Sequence, residues 1–362
     1  LRRDLQTMEA EVNFKVTWDA IFFYGSCPAT QITEVLGLLA DMIIRPQFRE
    51  QTFDHLRSQL LHDIENKKRS VPVFTQERFL SEIFRGNPYR HSIQGSLETL
   101  KNLDITDIKI QYRKLFIPNQ AQLALYHSDK EKGENIFNIL SRRWGSWVKN
   151  NPMPFTFRPA QQPEKQRIIL FDLHSEETIF RWGKLSVRRG ASNYYTLKVL
   201  EQYITLSLPG WTKGITTSNQ IRASSTLETG RMPGYIQLSV QAPSDQILAY
   251  FKKFREFVDE IQKGKIDMAK FEEAKRLSYL EFITSLEKPL PRLFQLLETA
   301  LYGLGVNFIT NYGLRLNRVT PEDFPKILPD HLSLDNFVMI VAGPADKLKD
   351  ELDNLGQTTV LP

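Results

Sequence analysis

The sequence predicts an α+β fold in which one unit, a mostly antiparallel sheet with helices packed on one face, appears twice. A strand, a Pro turn, a helix and a second helix follow one another in 13–65, and the same order recurs in 233–285. A segment rich in Pro, Asn and Gln, 150–166, separates the two copies. We therefore predict a first domain at 1–149, a linker at 150–166 and a second domain at 167–362.

The spacing of matching residues supports this repeat. Three pairs in three different elements are separated by 214 to 220 residues: Thr106 and Thr320, Phe53 and Phe271, Phe74 and Phe294. Near-constant separation across three elements favours duplication over two unrelated α+β segments.

The first half begins with alternating apolar and polar residues, which predict strands over 13–25. Apolar spacing and Pro breaks predict helices at 28–44, 48–67, 74–84, 95–101, 106–115 and 134–148. The apolar stretch 120–127 predicts a further strand.

In the second half, the same reasoning predicts strands at 167–173, 178–187, 216–226, 234–242 and 337–342. Helices are expected at 193–206, 244–263, 267–285, 289–302 and 345–354, with a short capped helix after Thr320. Residues 167–232 have no counterpart ahead of Asn13. We therefore expect the first domain to lack its opening strands and the helix that follows them.

Composition excludes several classes of function. The chain of 362 residues has 41% hydrophobic residues and a formal charge of +5, which is too mild and too dispersed to predict a nucleic-acid groove. Cys27 is the single cysteine, so an internal disulfide and a thiolate metal cluster are excluded. No apolar run is long enough to predict a membrane span.

Several stretches carry a resemblance to a known family: AEVNFKVTWDAIFFY, LLADMIIRPQF, NPYRHSIQGSLETLKNLDITDI and RIILFDLHSEETIFRWGKLSVRRGASNYYTLKVL. In this order they resemble the pitrilysin/insulinase superfamily of zinc peptidases, especially its bacterial and mitochondrial-processing subunits. The resemblance implies a pitrilysin-like duplicated fold. It also implies a zinc ion held by an inverted His-x-x-Glu-His helix and by a later Glu.

The residues at the family's functional positions differ from the family pattern. No His-x-x-Glu-His segment occurs, and its expected place lies before Leu1. Asp63 stands at the position of the last zinc ligand, one methylene shorter than Glu. Gly210 and Thr217 replace the Arg/Tyr pair that the family's second domain brings to the substrate. We therefore predict no catalytic residue and no metal ligand in this chain, and we expect zinc in an active partner.

Other candidate residues have simpler interpretations. His55 and His62 are seven residues apart on one predicted helix, too far for one metal without a further ligand. No Gly-x-Ser-x-Gly segment occurs, so nucleophilic catalysis has no support. His91, His127 and His331 lack partners at ligand spacing, His174 lies in a predicted solvated turn, and Cys27 precedes a Pro turn with no histidine nearby in sequence. Arg188, Arg189 and Tyr194 lead into a helix where the resemblance implies contact with a partner or the inner wall, and ordinary surface residues are the equal alternative.

These observations predict a non-catalytic homologue that pairs with a zinc-bearing subunit, or with a second copy, around a chamber for peptides. Two alternatives stay open. One is an active zinc endopeptidase whose His-x-x-Glu-His segment precedes residue 1, and the other is a structural core subunit of a larger complex. The resemblance to exported bacterial relatives favours the periplasm, with the cytoplasm as the alternative.

Overall fold

A computed structural model describes residues 2–152, 157–215 and 221–362. The chain forms two compact units, and each is discontinuous in sequence. We call them the hairpin unit (Leu1–Asn66, Ile93–Thr156 and Ser285–Glu298) and the sheet unit (Lys67–Ser92, Phe157–Thr284 and Thr299–Pro362).

The described elements include runs of consecutive helices between short groups of strands. The first half contains α1 (Arg2–Thr7), β1 (Glu11–Val16), β2 (Ile21–Ser26), α2 (Ile32–Ile44), α3 (Glu50–Lys68), α4 (Val71–Ile83), α5 (Leu97–Asn102), α6 (Ile105–Leu115) and α7 (Lys130–Trp144). The second half contains β3 (Arg167–Asp172), β4 (Glu177–Leu185), α8 (Tyr194–Lys213), β5 (Arg222–Glu228), β6 (Tyr235–Pro243), α9 (Ile247–Gln262), α10 (Met268–Glu287), α11 (Pro289–Leu301), α12 (Asn307–Thr310), α13 (Tyr312–Asn317), α14 (Asp323–His331), β7 (Val338–Gly343), α15 (Ala345–Asp353) and β8 (Thr358–Leu361).

The hairpin unit is built on one antiparallel strand pair, β1 with β2. Residues two apart on a strand share a face, so Phe22 and Tyr24 of β2 point to the same side. On that side the Phe294 ring packs edge-on against both rings, at centroid distances of 5.3 and 5.1 Å. The other side carries Phe14, which is 70% exposed. The hairpin is therefore covered on one face and largely open on the other.

The sheet unit contains a mixed six-stranded sheet in the order β5-β6-β4-β7-β3-β8. The three pairings from β5 to β7 are antiparallel, whereas β3 pairs in parallel with both β7 and β8. All six residues of β7 are buried, as a central strand covered on both faces requires.

Helices cover both faces of this sheet. On β4, Phe180 and Trp182 face α9, where they pack against the rings of Phe251 and Phe254. The alternate residues face α4. A Cβ on Gly183 would lie 2.5 Å from the Phe79 ring, so this glycine permits the close approach of helix and strand.

The unit boundaries reveal a reciprocal exchange of helices between the two halves of the chain. Helix α4 belongs to the first half in sequence but packs on β4 and β7 of the sheet unit. Phe294, near the start of α11, belongs to the second half but packs on the hairpin. Phe74 and Phe294 are one of the matched pairs of the repeat. The matched helices therefore each pack on strands from the other half.

The α+β class and most predicted elements are confirmed. The expectation of helices on one face is wrong, because α4 covers the second face of the sheet. The expectation of two comparable sheets, one in each half, is wrong for the described residues. In the described residues, the first half supplies a two-stranded hairpin and the second half supplies all strands of the six-stranded sheet. The boundaries 1–149, 150–166 and 167–362 stay a prediction about the repeat.

The expected strand at 120–127 is wrong. This stretch is described throughout, and after the short 3-10 turn Pro118–Gln120 it has irregular backbone. In the predicted repeat, the stretch 120–127 of the first half corresponds to β7 of the second half. Strand β7 lies between β4 and β3 and pairs with both. The described part of the first half contains no counterparts of β3 and β4. An apolar stretch without neighbouring strands has no hydrogen-bonding partner and stays irregular.

Candidate functional site

The predicted metal-ligand position lies on α3. Asp63 is exposed, whereas the next residue, Ile64, is buried, so this turn of the helix presents the carboxylate to solvent. The Nε2 atom of His62 lies 2.9 Å from Nδ2 of Asn66 on the same helix. In the described part of the chain, no group of three His, Cys, Asp or Glu residues is close enough to hold a metal ion. The residues around Asp63 therefore do not fit a zinc site by themselves.

The other histidines lie apart from one another. His55, His91 and His174 are exposed, and Nδ1 of His127 lies 2.9 Å from the backbone nitrogen of Asp129. His331 is buried at the end of α14. Burial lowers the pKa of the His331 imidazole, and hydrogen bonding to the Leu185 carbonyl opposes that shift. His331 is thus part of the packing of the sheet unit.

The thiol of Cys27 is half-buried, and burial raises its pKa. A raised pKa keeps the thiol protonated at neutral pH, and the thiol is a weaker nucleophile than the thiolate. This environment agrees with the sequence interpretation of Cys27 as a residue without a nucleophilic role.

The position of the family's substrate-contacting pair is described in part. Gly210 lies in the last turn of α8, and a Cβ there would have open space around it. A side chain would therefore fit at this position, so packing does not require a glycine here. Thr217 lies outside the described residues.

The predicted contact residues at the start of α8 belong to an aromatic cluster of the sheet unit. The rings of Tyr194 and Tyr195 pack against Phe308, and the Tyr312 ring stacks on Phe282 at 3.7 Å. Burial raises the pKa of the Tyr195 and Tyr312 phenols, which stay neutral. The cluster joins α12 and α13 to α8.

Arginine side chains lie at the edge of this cluster. The guanidinium of Arg189 lies over the Phe308 ring at 5.6 Å, and that of Arg315 lies over the Tyr195 ring at 5.9 Å. Cation–π contacts at these distances stabilise packing. Arg188, which the sequence also singled out, is exposed.

Sequence reasoning missed a concave site on the α4 face of the sheet unit. Its cavity of about 160 Å³ is lined by Pro72 and by side chains from three adjacent strands: Arg181, Arg222, Ser224, Ser239 and Gln241. A signal was present in Arg181, a charged residue inside an otherwise apolar strand. Its neighbours could not be identified without the register of three strands.

Comparisons with known proteins agree with this architecture. Residues 1–96 match the family model described as insulinase (peptidase family M16). A protease from Helicobacter pylori has a TM-score of 0.83 at 13% identity, over 95% of this chain and 84% of that chain. The M16 inactive domain from Pseudomonas fluorescens has a TM-score of 0.79 at 15% identity, over 95% and 83%. No curated protein is significantly similar in sequence.

A chain of complex III2 from Candida albicans has the same fold, with a TM-score of 0.76 at 12% identity over 97% of this chain and 86% of that chain. The solved structures that share this fold include both a protease and an M16 inactive domain. The family match covers residues 1–96 of the 362-residue chain, and the similarity over the rest of the chain is one of fold. Within the described ranges, no helix is both long and apolar enough to cross a membrane.

Proposed function

We propose that this chain is a non-catalytic M16 subunit with the family's duplicated ancestry. It would pair with a zinc-bearing homologue, or with a second copy, to enclose a chamber that binds peptides. The observation that carries the proposal is Asp63, an exposed carboxylate one methylene shorter than the family's Glu. Gly210 supports it, because the second domain then lacks a side chain at the position of the family's substrate-contacting Arg.

The physical reason for such a subunit is that an enclosing chamber requires two walls but only one metal centre. A closed chamber excludes bulk water and folded proteins, which favours short or unfolded peptides. The similarity to an inactive M16 domain shows that this fold exists without catalysis in another protein. Zinc would then be supplied by the partner, and export to the bacterial periplasm is part of the proposal.

The test is to purify the chain alone and together with a zinc-bearing family member from the same genome. We would measure zinc content, oligomeric mass by light scattering and hydrolysis of a fluorogenic peptide. We expect no zinc and no hydrolysis for the chain alone, and a stable pair with higher activity than the active subunit alone. Asp63→Ala should leave the activity of the pair unchanged.

Stoichiometric zinc and peptide cleavage by this chain alone would contradict the proposal. Loss of both in Asp63→Ala would then assign Asp63 as a ligand and favour the active endopeptidase. Asp63→Glu is the matched control, since it restores the length of the family's ligand.

A second candidate, a structural core subunit, is supported by the similarity to a chain of complex III2. It predicts that the chain copurifies with membrane proteins and that peptide hydrolysis does not rise when the chain is added to a zinc-bearing relative. The same purification therefore separates the two functions.

A further inference from the structure

The concave site on the α4 face of the sheet unit combines two arginines on one face of the sheet. In the strand register, Arg222 lies opposite Gln241, and Gln241 lies opposite Ile179, two residues before Arg181. Cross-strand partners share a face, so Arg181 and Arg222 point to the same side. Both line the cavity of about 160 Å³.

Arg181 is fixed in place but keeps donors for a ligand. Its Nε donates to Thr75 Oγ1 at 3.0 Å, Nη1 donates to Ser239 Oγ at 2.9 Å, and Nη2 donates to the Pro72 carbonyl at 2.8 Å. A guanidinium has five N–H groups, so one N–H on each terminal nitrogen is left. The side chain is therefore preorganised, and its ordering would cost a ligand little.

The three acceptors around Arg181 are neutral. The Tyr235 phenol beside it is neutral as well, because burial raises its pKa to about 12. Desolvation lowers the pKa of Arg181, but a guanidinium stays protonated. Neither Arg181 nor Arg222 takes part in any of the ion pairs between described residues. A partly desolvated cation without a counter-ion is stabilised by an anion.

The nearest acidic group on this face of β4 is Glu177, which is hydrogen-bonded to Gln241 at the edge of the cavity. The Glu177 carboxylate accepts a hydrogen bond from Gln241 Nε2 at 2.6 Å. Glu177 is four residues from Arg181 along the strand, roughly 13 Å at the rise of an extended chain. It therefore shapes the rim of the cavity and leaves the guanidinium of Arg181 uncompensated.

We propose that this cavity binds a carboxylate, from either an acidic peptide side chain or a small dicarboxylic acid. Arginine matches the planar, bidentate geometry of a carboxylate. The hydroxyls of Ser224 and Ser239 supply further donors beside it. The cavity has room for about five waters at roughly 30 Å³ each, which suits a carboxylate with a short aliphatic stem. The site does not depend on the proposed pairing with a zinc-bearing subunit.

The test is isothermal titration calorimetry of the full chain with four probes. These are acetyl-Ala-Glu-Ala-amide, its glutamine counterpart acetyl-Ala-Gln-Ala-amide, sodium glutarate and inorganic phosphate. We expect the glutamate peptide or glutarate to bind and the glutamine peptide not to bind. Tighter binding of the peptide would assign an acidic side chain as the source, and tighter binding of glutarate would assign a free acid.

Substitutions of single arginines test which residues bind the carboxylate. Arg222→Gln should weaken carboxylate binding about tenfold, since it removes one charge-assisted interaction from an exposed residue. The matched control is Arg255→Gln, an exposed arginine on α9, which packs on the opposite face of the sheet; it should bind as the unmodified chain does. Arg181→Gln should abolish binding. Because Arg181 also joins α4 to the sheet, the unfolding midpoint of the Arg181→Gln variant is measured in parallel. If Arg181→Gln does not fold, Arg222→Gln still tests the proposal.

Any one of four results would overturn the proposal. They are equal binding of the glutamate and glutamine peptides, binding of phosphate without either carboxylate probe, unchanged affinity in Arg222→Gln, and absence of binding for both carboxylate probes.

Discussion

Two strand pairs at corresponding places in the predicted repeat have different surroundings. The hairpin β1–β2 has a covered face and a face on which Phe14 is 70% exposed. The pair β5–β6 continues into β4, and Ile236 and Val240 of β6 are fully buried. The sequences of both pairs alternate in the way that strands do. Whether a strand pair becomes part of a core is thus decided by which strands and helices the rest of the chain supplies.

The largest expected loss of stability compares α4 with α11, the two helices that pack on strands from the other half of the chain. Phe79→Ala should destabilise the sheet unit by about 3–5 kcal/mol, because the ring is fully buried between α4 and the sheet. The comparable change in the hairpin unit, Phe294→Ala, should cost about 1–2 kcal/mol because that ring is half-buried. Urea denaturation gives both values. Equal losses of unfolding free energy in the two variants would show that α4 and α11 contribute equally to stability. The difference between the covered sheet and the hairpin would then not hold.

A second change sharpens the description of the α4 face. Gly183→Ala should cost about 1–3 kcal/mol, because its Cβ would lie 2.5 Å from both the Phe79 ring and the Ile236 carbonyl oxygen. Gly210→Ala is the matched control at an open position in a helix. It should stabilise by up to about 1 kcal/mol. A neutral Gly183→Ala protein would mean that α4 packs less closely on the sheet.

The prediction of secondary structure succeeded where burial and capping are local. Apolar spacing and Pro breaks predict the helices α2, α6, α9 and α15. The structure shows that the cap of α6 is Asp104, whose carboxylate accepts hydrogen bonds from the backbone N–H groups of Thr106 and Asp107. The strands β3, β4 and β7 were recognised because fully buried strands are continuous apolar runs.

The failures depend on contacts between residues far apart in sequence. The stretch 120–127 has the composition of a strand but has no described neighbouring strands with which to pair. The parallel pairing of β3 with both β7 and β8 joins residues more than 150 positions apart, and no local pattern encodes it. The cavity around Arg181 depends on the register of three strands, so its composition could not be deduced from one sequence.

A smaller effect concerns the pH dependence of the sheet unit. Burial lowers the pKa of His331 in the folded state, so the unfolded chain binds more protons below pH 6.5. Stability should therefore be complete above pH 6.5 and fall as the pH falls towards the folded pKa. The slope should stay below the roughly 1.4 kcal/mol per pH unit of one full proton. Unfolding free energies between pH 5 and 8 should show a flatter profile in His331→Gln, and an unchanged slope would contradict this assignment.

The smallest expected effect is on the open face of the hairpin. Phe14→Ser should change the free energy of unfolding of the chain by no more than about 0.5 kcal/mol, because the side chain is already exposed. Phe22→Ser is the control on the covered face, and it should cost several times more. A large loss from Phe14→Ser in thermal unfolding would show that this face is covered in solution.

The exchange of α4 and α11 has a practical consequence for anyone who divides this chain at the 150–166 segment. A fragment of residues 167–362 would lack the helix that covers one side of its own sheet, and its apolar underside would be laid bare. The complementary fragment would in turn lose the ring that covers its hairpin. Neither piece should be soluble on its own, but mixing the two during refolding should restore both, as in fragment complementation.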